Sequence, residues 1–341
     1  KQLGVELPAI VFLGDESKAE IGDEANKITD KFINEMRLLL ADKQEPSVRY
    51  SHSKCSACPY NEYCKPKFET KEELSLIYGI QGRSAEGLEK IGIKSISELA
   101  KANYKSMPDV PYLKGSLKKK RAVLQAQSYL DGSVHSIAPI TLPEGTWVHF
   151  DIEDNPLTAN IDKHVYLWGF LEPSDEKEKF EYIWTDKEDD DKKGWAAFLN
   201  QIEKYRSLYS DLVLAHFSPH ERSTILSYAK RYSMEENETV LYLLGDDSPL
   251  FDMQKPILES LVLPLQGYGL KDICKHPMLV NFQWEDDSSG SQWSIVQFNR
   301  FIQEIDKSTK QQLKKEILSY NRDDVIATRR LEEWLKIRRN S

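Results

Sequence analysis

The sequence predicts an α/β fold, and three observations carry that prediction. Three strand-like segments, 146–153, 165–171 and 180–184, follow one another closely. They give way to a helix at 192–206, a strand at 211–216 and a helix at 220–232. Further helical segments close the chain at 253–260, 296–304 and 309–338. Adjacent strands that then alternate with helices are an α/β pattern.

Each element has a local reason. Trp147-Val148-His149-Phe150 is aromatic and β-branched, and an Asn155-Pro156 turn closes the segment, so it reads as a buried strand ending in acid. Leu212-Val213-Leu214-Ala215 is an apolar run of strand length that enters a short loop before a helix. The charged stretch from Asp186 to Lys193 reads as a solvated loop. Upstream, Leu7 to Leu13 reads as a strand. Ile28, Phe32, Ile33, Met36, Leu39 and Leu40 recur at helical spacing, which makes 23–41 one amphipathic helix. Residues 1–70 carry little core for an independent domain and read as a partial unit. Residues 71–132 are short helices that end in a lysine-rich helix over 116–131. Pro139 and Pro143 mark 133–144 as a linker, and 145–341 is the α/β domain. No internal repeat is present.

The chain has 341 residues, length for two or three domains. Its net charge of −9 argues against a protein that coats nucleic acid by bulk charge. It leaves room for an enzyme whose metal ligands are themselves acidic. No run of about 18 apolar residues exists, so no membrane span is expected and the composition fits a cytoplasmic protein. Lys1-Gln2-Leu3-Gly4 is neither a signal peptide nor an initiator Met, so a fragment or a trimmed chain is expected.

The chemistry gathers on acids. Asp151 and Glu153 are two apart on a strand, so they share a face. Like charges so close are costly unless a cation lies between them, and a hard divalent metal such as Mg²⁺ takes oxygen ligands. Glu221 falls in the first turn of a helix, where the dipole favours an anion. Tyr320 and Asp324 are i and i+4 on the last long helix and share a face. Asp323, i+3 from Tyr320, is a rival to Asp324. Asp252 reads as a helix cap, and His216 and His220 as polar loop residues beside Glu221.

This ordered set resembles the DEDD (DnaQ-like) exonuclease superfamily, tyrosine subclass. The resemblance covers about 200 residues. It implies an RNase H-like mixed sheet flanked by helices and two divalent ions, Mg²⁺ or Mn²⁺. Asp151, Glu153, Glu221 and Asp324 then become metal ligands, and Tyr320 orients the attacking water. The second motif of that family usually has Asp where this chain has Glu221. Its common Asn four residues earlier is Phe217 here. A bacterial branch of RNase H-like domains carries Glu at that place.

Cys55, Cys58 and Cys64 fall within ten residues, which suggests a metal site rather than disulfides, with Cys274 isolated. With His52 they spell a Cys₃His zinc site. The same segment resembles the C-terminal cysteine triplet of RecB-family nucleases, which implies a [4Fe–4S] cluster and makes 1–70 a nuclease tail. That family includes fusions to helicases, so a helicase domain or subunit is an expected partner. Residues 77–100 fit a helix-hairpin-helix, in which Gly79 and Gly82 supply the turn and Gln81 replaces a usual glycine. Its backbone N–H groups would meet phosphate, and Lys118, Lys119 and Arg121 would add contacts.

The reading is therefore a metal-dependent 3′→5′ exonuclease acting on single-stranded ends of DNA or RNA. The alternative is a non-catalytic RNase H-like nucleic-acid-binding or scaffold module. A third reading is a zinc-dependent interaction module centred on the cysteines.

Overall fold

The structure is a computed structural model that describes residues 10–12, 18–20, 22–42, 48–56, 58–158, 161–173, 179–285 and 291–339. By internal contacts the chain divides into a small unit, 1–49 with 159–161, and a large unit, 50–158 with 162–341.

In the small unit, β1 (Ile10–Phe12) and β2 (Lys18–Glu20) pair antiparallel. Helix α1 (Asp23–Ala41) is the expected amphipathic helix, and its Ile28, Phe32 and Leu39 are exposed. Leu7–Ala9 and Leu13, also expected as strand, lie outside the described residues.

The large unit opens with helices α2 (His52–Cys55), α3 (Asn61–Thr70), α4 (Arg83–Lys90), α5 (Ile96–Lys101) and α6 (Ser116–Asp131). They close on a core of Leu74, Leu76, Ile80, Leu88, Leu99 and Ala126. Gly79 (φ +80°) and Gly82 (φ +38°) turn the chain into α4, a conformation that a side chain would strain. What precedes that turn is a 3-10 segment, Leu74–Leu76, rather than a full helix.

After a short strand, β3 (His135–Ser136), come β4 (Thr146–Asn155), β5 (His164–Glu172) and β6 (Lys179–Trp184). Helix α7 (Asp191–Leu208) leads to β7 (Leu212–His216), and α8 (His220–Arg231) and α9 (Glu238–Leu244) lead to β8 (Leu250–Asp252). The sheet order is β6-β5-β4-β7-β8. β4, β5 and β6 run antiparallel, and β7 and β8 continue parallel to β4. The chain ends with α10 (Gln254–Ser260), β9 (Leu261–Val262), α11 (Leu270–Cys274), α12 (Ser291–Gln303) and α13 (Lys307–Arg339).

Alternation on β4 sets the layers. Val148, Phe150 and Ile152 pack with Phe198 and Ile202 of α7 and Ile225 and Tyr228 of α8. Burying each such side chain stabilises by about 1.5–3 kcal/mol. Trp147 packs on the other face with Ala327, Leu331 and Leu335 of α13. His149, Asp151 and Glu153 share that second face. Gly169 of β5, paired with Asp151, lets α13 come close. A Cβ there would sit 1.7 Å from Asn321 Oδ1.

The expected strands and long helices of 145–341 are all present, and β8, β9, α9 and α11 are additions. Two segments differ from expectation. Asp186–Lys193 is not simply a solvated loop, because Asp191 starts α7 and is buried. Its carboxylate accepts from Tyr228, Tyr232 and Arg231, which offsets the cost of burying the charge. The segment 133–144 is no free linker. β3 pairs antiparallel with β9, the Ser260 hydroxyl donates to Pro139 O at 2.8 Å, and Ile140 and Leu142 are in the core.

Candidate active site

β4 and α13 bring three carboxylates together. One oxygen each from Asp151, Glu153 and Asp324 lies within 4.8 Å of the others. β4 sets Asp151 and Glu153 side by side on the face that α13 covers. The ladder to β5 shifts register between Glu153 and Asp154, which ends that regular alternation at the site. α13 places Tyr320 one turn before Asp324, close enough for its phenol to help lower the Asp324 carboxyl.

Side chains from α12, α13 and the irregular stretch before α12 hold the acids. Asn321 Nδ2 donates to Asp151 Oδ2 at 2.7 Å. The Ser294 hydroxyl, on α12, donates to Glu153, and Tyr166 donates to Ser294 at 2.9 Å. Trp284 Nε1 donates to Asp324 Oδ1 at 2.7 Å.

These bonds do not cancel the cost of crowding. Burial pushes the Asp151 carboxyl well above the usual range, and the charges of Asp324, Glu153 and Glu221 push the same way. Burial and Asp324 raise Glu153 to about 8, against the Ser294 and Asn321 bonds. Burial raises Asp324 to about 6, while the Lys271 charge, the Trp284 bond and the Tyr320 phenol oppose it. Burial, then the acids, raise the Tyr320 phenol, so it keeps its proton. Three oxygen donors that cannot all ionise by themselves suit a hard divalent cation.

Glu221 is in the same cleft but outside that triad. It sits in the first turn of α8, buried, with Oε2 3.0 Å from His216 Nδ1. The loop before it is tightly set. Ser218 has φ +85°, and its N–H donates to Asp252 Oδ1 at 2.9 Å. The cleft has a volume of about 630 Å³ and is lined by all four acids, Tyr320 and Lys271.

A sequence model of the RNase H superfamily matches residues 148–336, more than half of the chain. The chain belongs to the RNase H superfamily. No curated protein and no solved structure matches it. Members of the RNase H superfamily are commonly nucleases that use divalent metals, and the match spans Asp151, Glu153, Glu221, Tyr320 and Asp324.

The other expected residues in and around this RNase H-like domain are distributed as follows. Asp323 does not join the triad, because its Oδ2 accepts from the Glu285 N–H at 2.7 Å. Asp252 is not the N-cap expected of it: it ends β8, Met253 is the N-cap of α10, and the Asp252 Oδ1 accepts from the Gln254 N–H at 2.9 Å across that turn. His220 is more than a loop residue, since its Nε2 lies 3.0 Å from Asp154 Oδ2. Lys118 is exposed. Lys119 is spoken for within the chain, donating to Met107 O at 2.8 Å and lying 3.0 Å from Asp109 Oδ1. Arg121 donates to Leu258 O and Leu261 O. The Gln81 N–H of the glycine turn donates to Ser84 Oγ.

The cysteines are free thiols, with Cys55, Cys58 and Cys64 half-buried and Cys274 buried. Among the described residues the three clustered sulfurs do not form a group within 4.8 Å of one another. His52 does not complete them here. Its Nε2 lies 3.5 Å from Asp272 and its Nδ1 3.4 Å from the Tyr50 hydroxyl.

Sequence reasoning missed Asn321, Ser294, Trp284 and Lys271. Asn321 had a signal, since it neighbours Tyr320 on the helix that carries Asp324. Lys271 sits on a five-residue helix and Trp284 in an irregular stretch, and Ser294 lies on the first turn of α12, before the 296–304 span that the sequence predicts, so the spacing of all three is silent about the acids.

Proposed function

We propose that the RNase H-like domain is a metal-dependent 3′→5′ exonuclease of the DEDD type, tyrosine subclass. The observation that carries the proposal is the convergence of Asp151, Glu153 and Asp324 within 4.8 Å. In the reaction, a water oxygen bonds to phosphorus, the P–O3′ bond breaks, and a nucleoside 5′-monophosphate leaves. Two divalent ions, Mg²⁺ or Mn²⁺, would supply charge stabilisation for the attacking and leaving oxygens. Asp151, Glu153 and Asp324 would hold them, with Glu221 contributing from α8. Tyr320 keeps its phenolic proton and orients the attacking water. Asn321, Ser294 and Trp284 fix the carboxylates before substrate arrives, so little reorganisation is needed at the reacting phosphate.

The test is degradation of a labelled single strand. Activity is expected to require Mg²⁺ or Mn²⁺ and to vanish in Asp151→Asn while the fold persists. Near-wild-type activity in that variant overturns the assignment. A second reading, a non-catalytic nucleic-acid-binding or scaffold module, is favoured by one observation: Glu221 is committed to His216. Mn²⁺ titration separates the two readings, because a scaffold need bind no metal.

The rest of the large unit fits a nucleic-acid role. The Gly79 and Gly82 turn and Lys118 would hold strand phosphates without reading sequence, as a helix-hairpin-helix does. The cysteine triplet and its flanks fit the tail of a RecB-family nuclease, in which Cys55, Cys58 and Cys64 would carry zinc or a [4Fe–4S] cluster. Helicase fusion is the partner arrangement that goes with such a tail. Elemental analysis and a visible spectrum test the metal. Activity is expected to survive Cys58→Ser, because the acids lie on other elements.

A further inference from the structure

Charge balance in the cleft leaves one task without an assigned residue. Among the described residues, six carboxylates line the cleft. Asp154 is paired with Lys163 at 3.1 Å and Asp272 lies 3.5 Å from His52, which leaves Asp151, Glu153, Glu221 and Asp324, and two divalent ions would neutralise those four and no more. A phosphodiester then brings a negative charge with nothing to offset it, and the charge grows as water attacks. Among the described residues that line the cleft, Lys271 is the sole lysine or arginine.

Its position is well defined. Lys271 stands on α11, which is anchored by the buried Ile273 and Cys274. The Asp272 carboxylate accepts from the Gly269 N–H at 3.1 Å and fixes the start of that helix. The ammonium lies 4.4 Å from the centre of the Tyr320 ring and 5.5 Å from that of Trp284. Cations favour such aromatic faces. Trp284 hydrogen-bonds Asp324, and Tyr320 stands one turn before it on α13. The charge is felt at the site itself: burial raises the Asp324 carboxyl, and Lys271 is the leading influence that lowers it again.

We propose that Lys271 is the phosphate-binding cation of the cleft, taking a non-bridging oxygen of the strand's terminal phosphodiester. The inference rests on the nuclease reading and adds a residue to it. The competing role is a strut, in which Lys271 only offsets the charge of Asp324. The two roles differ in what they do to metal. A strut that is removed disturbs the Asp324 carboxylate and with it metal affinity. A phosphate ligand that is removed leaves metal affinity intact or raises it, because a like charge has gone.

The experiment measures two equilibria in the full chain by calorimetry: Mn²⁺ alone, and a deoxynucleoside 5′-monophosphate at saturating Mn²⁺. In Lys271→Met, Mn²⁺ affinity should be unchanged or higher. Nucleotide affinity should fall about 10- to 100-fold, the worth of a charge-assisted hydrogen bond. Lys271→Arg should recover most of it. Mn²⁺ binding in each variant also reports that the site is folded. Unchanged nucleotide affinity in Lys271→Met overturns the proposal, and so does a loss that follows lost Mn²⁺ affinity. A wild-type chain that binds Mn²⁺ but no nucleotide overturns the Lys271 role and spares the metal site. A wild-type chain that binds no Mn²⁺ overturns both.

Discussion

Replacing Glu153 with Gln should make the metal-free protein more stable. Glu153 is buried, and its carboxyl is raised from an ordinary 4.5 to about 8. Between those values the folded chain keeps a proton that the unfolded chain has lost. Stability therefore falls as pH rises through that window. Near pH 7.5 the displacement corresponds to about 4 kcal/mol. Gln has the same shape, and its carbonyl can still accept from Ser294, but it carries no charge to desolvate. Urea unfolding in EDTA, followed by circular dichroism, should show Glu153→Gln more stable than wild type by up to about 4 kcal/mol near pH 7.5. The gap should close near pH 4, where both chains are neutral at this position. Adding Mn²⁺ should reverse the order, because a ligand that binds only the folded state stabilises it by mass action. A metal-free Glu153→Gln no more stable than wild type near pH 7.5 would refute the crowding argument.

Four further outcomes are expected. Tyr320→Phe should slow turnover by roughly 100-fold, the reach of a lost contact that positions the attacking water, with Mn²⁺ affinity retained; a collapse of metal binding would make Tyr320 a ligand-holding residue instead. Gly169→Ala should cost about 1–3 kcal/mol in urea unfolding, because the new methyl meets Asn321 and forces α13 off the sheet, and an unchanged midpoint would show that the helix can yield. Arg121→Ala should cost about 1–3 kcal/mol through two lost carbonyl partners. Lys118→Ala should leave stability alone and lower the salt slope of single-strand binding by about 0.7.

The sheet and its helices were legible because their signals are local. Trp147 to Asp154 announces a strand by composition, and the 309–338 periodicity announces α13. Asp151, Glu153 and Asp324 were legible for the same reason, as residues on those strong elements. Glu221 was placed on the right turn, yet its bond to His216 depends on how the Ser218 loop folds back. Lys119 and Arg121 show the limit most clearly. A lysine-rich helix looks alike whether its charges meet water, phosphate or the chain's own carbonyls, and only the packing decides, through Met107 and Asp109 for Lys119 and Leu258 and Leu261 for Arg121. Ile140 and Leu142 did carry a signal, alternate apolar positions two apart, which the neighbouring prolines obscured.

The strap from 133 to 144 has a consequence for how this protein can be divided. Arg121 and Gln125 satisfy carbonyls at Leu258, Leu261 and Leu263, and the Tyr50 hydroxyl reaches Gln266 at 3.2 Å. Tyr78 stacks on Tyr268 at 4.1 Å. A chain shortened to begin at residue 145 would strip partners from a whole run of backbone and expose the apolar ground beneath Ile140 and Leu142. The smallest piece that keeps these bonds begins near Tyr50, and it should melt in one transition, with no stage at which the sheet stands alone.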